Sequence, residues 1–166
     1  MKTLVLGLGN DLLGDDGIGL AAIEALRAET PPLEGVDFVA SPLSGLALLD
    51  LFVGYDRAVV VDGIRTGRHP AGSVTELLAS DLDRIVAPSP HYAGLPELFA
   101  VARSLDLPFP SEVRILAVET EDPYTVGGAM SAPVRDAVPA VVARVRALLR
   151  ARGVARQPAL APGAGL

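Results

Sequence analysis

The segment Leu4–Leu20, LVLGLGNDLLGDDGIGL, constrains the fold more than any other part of the chain. Its apolar opening predicts a buried strand, its glycines favour a tight turn, and apolar residues at helical spacing follow the adjacent acids Asp15 and Asp16. The segment therefore predicts a strand, a turn and a helix in immediate succession. A carboxylate at the first turn stabilises a helix, so either acid can cap this one.

Strands continue to alternate with helices along the rest of the chain. Apolar and β-branched runs predict further strands at Val36–Ala40, Arg57–Asp62, Ser73–Leu77 and Val113–Val118. Helical spacing predicts helices ending near Thr30, through Leu46–Phe52, at Leu95–Ser104 and at Ser131–Arg152, with a helical turn at Asp81–Val86. This order predicts a three-layer α/β fold, with a mostly parallel sheet between helices on both faces. The β-branched run Val59–Val61 is typical of the centre of such a sheet, and Pro139 is expected to kink the last helix or divide off its first turn.

Length and composition indicate a single domain. Half of the 166 residues are apolar, which is enough for a core of ordinary size. We assign residues 1–153 to this domain. Residues 154–166 contain clusters of small residues and prolines without a periodic pattern, and we predict a disordered tail there.

Charge and cysteine content exclude several classes of protein. The chain has 14 basic and 20 acidic residues, a net charge of -6, so it lacks the basic surface of a nucleic-acid binder. It has no cysteine, which excludes disulfides, thiolate metal sites and a cysteine nucleophile. The opening strand is too short before its acids for a signal peptide or a membrane span, so we expect a cytoplasmic protein without a membrane partner.

Three acidic segments follow predicted strands: Gly7–Asp16, Asp62 and Glu119–Asp122. Parallel sheets place their sites at the carboxyl ends of strands, so we expect these segments along one edge. The glycine turn could hold a phosphate, but Leu12 occupies the position of the third glycine of a GxGxxG motif, and no GK[ST] follows. A nucleotide site is therefore not predicted.

Two carboxylates and an imidazole are the candidate site residues. Adjacent acids point in different directions, so while one caps the helix the other can face a cleft with Asp62. His91 follows a rigid Ser-Pro, and together Asp16, Asp62 and His91 would offer two oxygens and one nitrogen, a set that suits nickel or zinc. Each also has a purely structural interpretation, as a strand-end acid or a loop imidazole, and spacing alone does not decide between them. No HExxH or GxSxG motif supports the common zinc and serine hydrolases.

Four motifs in order carry a family resemblance. They are GLGNDLLGDDGIG (Gly7–Gly19), VVVDG (Val59–Gly63), SPHYAGL (Ser89–Leu95) and AVETEDPYTVGGAMSAPV (Ala117–Val134). On these motifs the chain resembles the hydrogenase maturation proteases, which trim the C-terminal extension from the nickel-loaded large subunit of [NiFe] hydrogenases. The resemblance leaves out only the tail.

The resemblance implies an α/β fold with a twisted sheet and an aspartyl-type endopeptidase activity. It implies that Asp16, Asp62 and His91 contact a metal, and we predict that they are also the catalytic residues, with the role of each left open. Of the two adjacent acids, we then expect Asp15 to be the helix cap. Nickel would be carried by the precursor of the large subunit, which is the expected partner, and no organic cofactor is expected. Asp16 stands where many relatives carry a glutamate, so a shorter side chain must reach the same point.

Other interpretations stay open at this stage. The protein could be an autonomous metallohydrolase with its own zinc or nickel, or an assembly chaperone that binds the precursor without cutting it. The acids and the histidine could also be structural. The exposed loop Gly63–Gly72, with Arg65 and Arg68, is a candidate rim for the precursor or simply a solvated loop.

Overall fold

The structure, a computed structural model, describes residues 1–79, 91 and 94–151. Its strands are β1 (Thr3–Leu8), β2 (Val36–Ser41), β3 (Arg57–Ile64), β4 (Val74–Leu78) and β5 (Glu112–Glu119). Its helices are α1 (Ile18–Glu29), α2 (Leu49–Phe52), α3 (Leu95–Ser104), α4 (Ala132–Asp136) and α5 (Val138–Ala151), with 3-10 turns at Gly14–Gly17 and Gly45–Leu48. Each strand predicted from the sequence is present, with bounds that agree to within two residues.

The five strands form one sheet in the order β2-β1-β3-β5-β4. Neighbouring strands are parallel except for β4, which pairs with β5 in the antiparallel sense. The strand β3 lies in the middle, as its continuous β-branched run predicts. Because β1, β3 and β5 point the same way, their carboxyl ends lie along one edge, which we call the carboxyl edge.

Both faces of the sheet are buried. Alternate residues of β1 divide between them: Leu4, Leu6 and Leu8 pack into a core with side chains of α2 and α3. Val5 packs into a second core with side chains of α1 and α5. Successive strand residues point to opposite faces, so this division is what a sheet between two helical layers requires. The predicted three-layer α/β fold is confirmed.

The predicted last helix is divided into two. The helix α4 ends at Asp136 and α5 begins at Val138, so the first turn is separate from the rest. Pro139 is the second residue of α5, where a missing N–H costs no helical hydrogen bond. The helical turn predicted at Asp81–Val86 and the tail predicted at 154–166 lie outside the described residues. Of the helices in the described ranges, none has the length and apolar character needed to cross a membrane.

Glycines allow α1 to lie directly on β1. A Cβ atom at Gly19 would lie 2.1 Å from the carbonyl oxygen of Leu8 and 2.5 Å from that of Val61. Gly9 has a φ of 144°, and a Cβ atom there would lie 1.9 Å from the carbonyl oxygen of Asp16. These contacts leave no room for a side chain. They bring the start of α1, and the acids before it, onto the ends of β1 and β3.

We expect Gly19→Ala to lower the free energy of unfolding by about 1–3 kcal/mol or more, since the added methyl group must push α1 away from the sheet. Gly17→Ala is the matched control, because a Cβ atom there has its nearest contact at 3.4 Å. Urea denaturation measures both. A Gly19→Ala variant as stable as the Gly17→Ala variant would contradict the close approach.

Candidate active site

The structure brings Asp16, Asp62 and His91 together at the carboxyl edge. Asp16 lies in the 3-10 turn before α1, Asp62 lies near the end of β3, and His91 lies shortly before α3. One oxygen of each carboxylate and one ring nitrogen all lie within 4.8 Å of one another. The three side chains are buried. Within residues 1–79, 91 and 94–151, this is the one cluster of this kind that could hold a metal ion.

Asp16 is oriented by two contacts that use the same oxygen. Its Oδ2 accepts a hydrogen bond from the backbone N–H of Asn10 at 2.8 Å and lies 3.0 Å from Nε2 of His91. The second oxygen, Oδ1, takes no part in these two contacts. The tight turn therefore fixes the carboxylate from one side, and the imidazole meets it from the other.

Asp62 is held by the strand itself. Its Oδ1 accepts a hydrogen bond from the N–H of the next residue, Gly63, at 2.8 Å. The carboxylate shares its face of the sheet with Val60 and Ile64, which belong to the core under α3. Asp62 thus interrupts an apolar face just where that face reaches the carboxyl edge, and its side chain has no exposed surface.

The charges around His91 favour its protonated form. The hydrogen bond with Asp16 raises the pKa of the imidazole, against burial, which lowers it. The negative charges of Asp62 and Asp16 and the backbone of Leu43 raise it further. Two carboxylates with at most one positive charge still carry surplus negative charge in a buried place. The site therefore suits a cation, and its oxygen and nitrogen donors fit a borderline divalent ion.

Asp15 does not cap α1, and this expectation from the sequence is wrong. Its buried carboxylate accepts hydrogen bonds from the N–H groups of Glu121 at 2.8 Å, Asp122 at 2.9 Å and Ser131 at 2.6 Å, and from the Ser131 hydroxyl at 3.0 Å. Burial alone would raise the pKa of Asp15, but these hydrogen bonds lower it overall. Ser131 stands at the start of α4, yet its hydroxyl serves Asp15 and does not cap the helix.

Backbone contacts tie the same two segments together. We call residues 9–13 the first loop and residues 120–131 the second loop. The N–H of Gly127 donates to the carbonyl of Leu12 at 2.8 Å, and that of Asp15 donates to the carbonyl of Asp122 at 3.1 Å. Leu13 and Val126 form an isolated antiparallel bridge. The second loop therefore lies fixed beside the turn that carries Asp16.

Glu119 is a fourth buried acid, which sequence reasoning did not single out by itself. It accepts hydrogen bonds from the N–H and the hydroxyl of Thr66 and from the N–H of Gly67, each at 2.7 Å. It thus fixes the loop after β3 that was a candidate rim. In that loop Arg65 lies over the ring of Tyr124, 5.7 Å from its centroid. The second histidine of the chain, His69, is exposed in that loop and is not part of the buried cluster.

We expect Asp15→Asn to lower the free energy of unfolding by about 1–3 kcal/mol, because a neutral amide cannot replace a carboxylate that accepts four hydrogen bonds. Asp11→Asn, an exposed acid in the first loop, is the control and should change stability by less than about 0.5 kcal/mol. Urea denaturation measures the free energy of unfolding of both variants. Equal stabilities would show that Asp15 does not hold the two loops together.

Comparison with known proteins gives one consistent group of relatives. No family model matches the chain. A hydrogenase expression/formation protein, HupD of Rhizobium leguminosarum bv. viciae, is 29% identical over 157 residues, which are 93% of this chain and 77% of HupD. The hydrogenase 2 maturation protease of Escherichia coli K12 is 27% identical over 162 residues, 95% of this chain and 96% of that protein.

Solved structures agree with the sequence relatives. The hydrogenase maturating endopeptidase HybD from E. coli matches with a TM-score of 0.77 at 26% identity, covering 93% of this chain and 95% of HybD. The solution structure of an endopeptidase from Escherichia coli matches with a TM-score of 0.80 at 25% identity, covering 95% of this chain and 98% of that one. The similarity in sequence and in fold therefore extends over nearly the whole chain.

Proposed function

Since this chain belongs to the family of hydrogenase maturation proteases, we propose that it removes the C-terminal extension from a nickel-loaded [NiFe] hydrogenase large-subunit precursor. The chain is a peptidase, like the maturation protease and the endopeptidases of E. coli that it resembles. The buried cluster of Asp16, Asp62 and His91 supports the finer proposal, because it offers a cation site at the edge of the sheet where this fold places ligands. The cytoplasmic location stays a prediction from the sequence.

In this proposal nickel is part of the substrate. The two carboxylates and the imidazole contact the ion that the precursor already carries, and so select the loaded precursor. The hydrogen bonds of the two carboxylates support this role. The backbone N–H of Asn10 and the ring of His91 hold Asp16, and the backbone N–H of Gly63 holds Asp62. Donors that are held before binding lose little conformational entropy when they meet a ligand, which favours a specific contact.

Hydrolysis then needs a positioned peptide bond and an activated water. Contact with the ion would fix the precursor, and such positioning supplies a large share of the rate. The water oxygen attacks the carbonyl carbon, its proton passes to a carboxylate or, when His91 is neutral, to the imidazole, and a proton goes to the leaving amine as the C–N bond breaks. Asp16 and His91 lie within hydrogen-bond distance of each other, so a proton taken up by one can be shared with the other.

Mass spectrometry of a large-subunit precursor before and after incubation tests the nickel requirement. We expect the mass of the C-terminal extension to be lost at least about 100-fold faster from nickel-loaded than from nickel-free precursor, because the unloaded one lacks the contact that positions it. Equal cleavage of the two would refute nickel recognition. An intact precursor in a stable complex would indicate a chaperone, and a stoichiometric ion on the purified protein with nickel-independent cleavage would indicate an autonomous metallohydrolase.

Substitutions in the cluster test its residues. We expect Asp62→Asn and His91→Ala each to slow processing by about 10²–10⁴-fold, the range typical of a lost acid–base group or ligand. The matched control is His69→Ala, which removes the exposed histidine and should leave the rate unchanged. Thermal melting of each variant establishes that it is folded. Full activity of a folded Asp62→Asn or His91→Ala variant would remove that residue from the mechanism.

A further inference from the structure

Three large apolar side chains are exposed beside the buried cluster. Leu12 in the first loop is 63% exposed, and Tyr124 and Val126 in the second loop are 67% and 77% exposed. The N–H of Gly127 donates to the carbonyl of Leu12, and Leu13 pairs with Val126, so the backbone segments that carry the three side chains lie side by side. We call Leu12, Tyr124 and Val126 the apolar rim.

The backbone that carries the apolar rim is fixed. The Asp122 side chain accepts hydrogen bonds from the N–H groups of Tyr124 and Thr125, both at 3.1 Å, and one from the Thr125 hydroxyl. Asp15 holds the two ends of the second loop, and Arg65 lies over the ring of Tyr124. Large apolar groups presented to solvent on an ordered backbone are typical of a surface that meets a protein partner.

The apolar rim is linked to the candidate active site by hydrogen bonds. The N–H of Leu12 donates to the side-chain oxygen of Asn10, and the backbone N–H of Asn10 donates to Asp16. Arg65 stands three residues after Asp62. Asp15, whose carboxylate holds the second loop, is the direct neighbour of Asp16. A polypeptide bound on the rim would therefore lie next to the turn that carries Asp16.

We propose that the apolar rim is the docking surface for an apolar segment of the precursor next to the bond that is cut. This rests on the proposed function and adds the chemistry of the contact. Three exposed acids, Asp11, Glu121 and Asp122, lie in the two loops that carry the rim and outnumber the one cation that the described residues place there, Arg65 on the ring of Tyr124. The segment that fits is therefore apolar with neutral or cationic flanks. A second copy of this chain would set the same acids against each other, and an anionic membrane surface would be repelled by them.

The test compares kinetics of Val126→Asp and Tyr124→Ala with those of the wild-type chain on nickel-loaded precursor. We expect KM to rise at least about tenfold while kcat stays within about twofold, because the rim binds the precursor and takes no part in the chemistry. Leu105→Asp is the matched control. Leu105 is 61% exposed and follows α3 at the opposite edge of the sheet, so its KM should not change.

Each outcome decides on the rim separately from the protease activity. Wild-type cleavage with an unchanged KM in both rim variants would overturn the docking surface and leave the proposed function intact. Binding of the precursor without cleavage, lost in Val126→Asp and kept in Leu105→Asp, would support the rim and reject the protease. If the wild-type chain neither binds nor cleaves the precursor, both ideas fail. A wild-type dimer that Val126→Asp dissociates, with KM unchanged, would assign the rim to self-association and overturn the proposal.

Discussion

The arrangement of the site depends on the hydrogen bonds that the second loop donates to the buried carboxylate of Asp15. A buried carboxylate without partners costs several kcal/mol, and four hydrogen bonds from the second loop offset that cost. Because Asp15 must face the second loop, the side chain of Asp16 leaves the same short turn in another direction. In that direction the Asp16 carboxylate contacts the backbone N–H of Asn10 and the ring of His91. One pair of adjacent acids therefore does two things: Asp15 holds the second loop, and Asp16 faces the site.

The architecture was largely predictable because its determinants are local. The spacing of apolar residues placed β3 in the centre of the sheet and α3 at the bounds that the structure gives. The convergence of Asp16 and Asp62 followed from a rule of parallel sheets, which needs the order of strands and no coordinates. His91 could be joined to them only through the family resemblance, because the residues themselves left a loop imidazole equally acceptable.

The partners of the buried acids could not be predicted, since they are distant in sequence. The amides that bind Asp15 come from residues 106 to 116 positions further along the chain. From the local pattern, an acid just before a helix predicts a helix cap. In the structure Asp15 instead accepts hydrogen bonds from the distant second loop. Glu119 likewise accepts its hydrogen bond from Thr66, which lies 53 positions earlier in the chain. The exposure of Tyr124 and Val126 was equally hidden, because an irregular loop has no periodicity that separates inside from outside.

In the proposed function the buried cluster and the apolar rim would supply different parts of recognition. A rim that contacts only polypeptide binds loaded and unloaded precursor equally well, so it contributes affinity without discrimination between them. In the proposed function the three buried side chains would respond to the ion, but taken alone they would accept any suitable divalent cation from solution. Specificity is a difference between affinities, and it is greatest where the correct partner satisfies both surfaces and each competitor satisfies one. Asp15 holds the two surfaces side by side, so a single precursor chain can reach both. On this view the selection of the loaded precursor comes from the cluster, and the selection of the precursor among other nickel-bearing molecules comes from the rim.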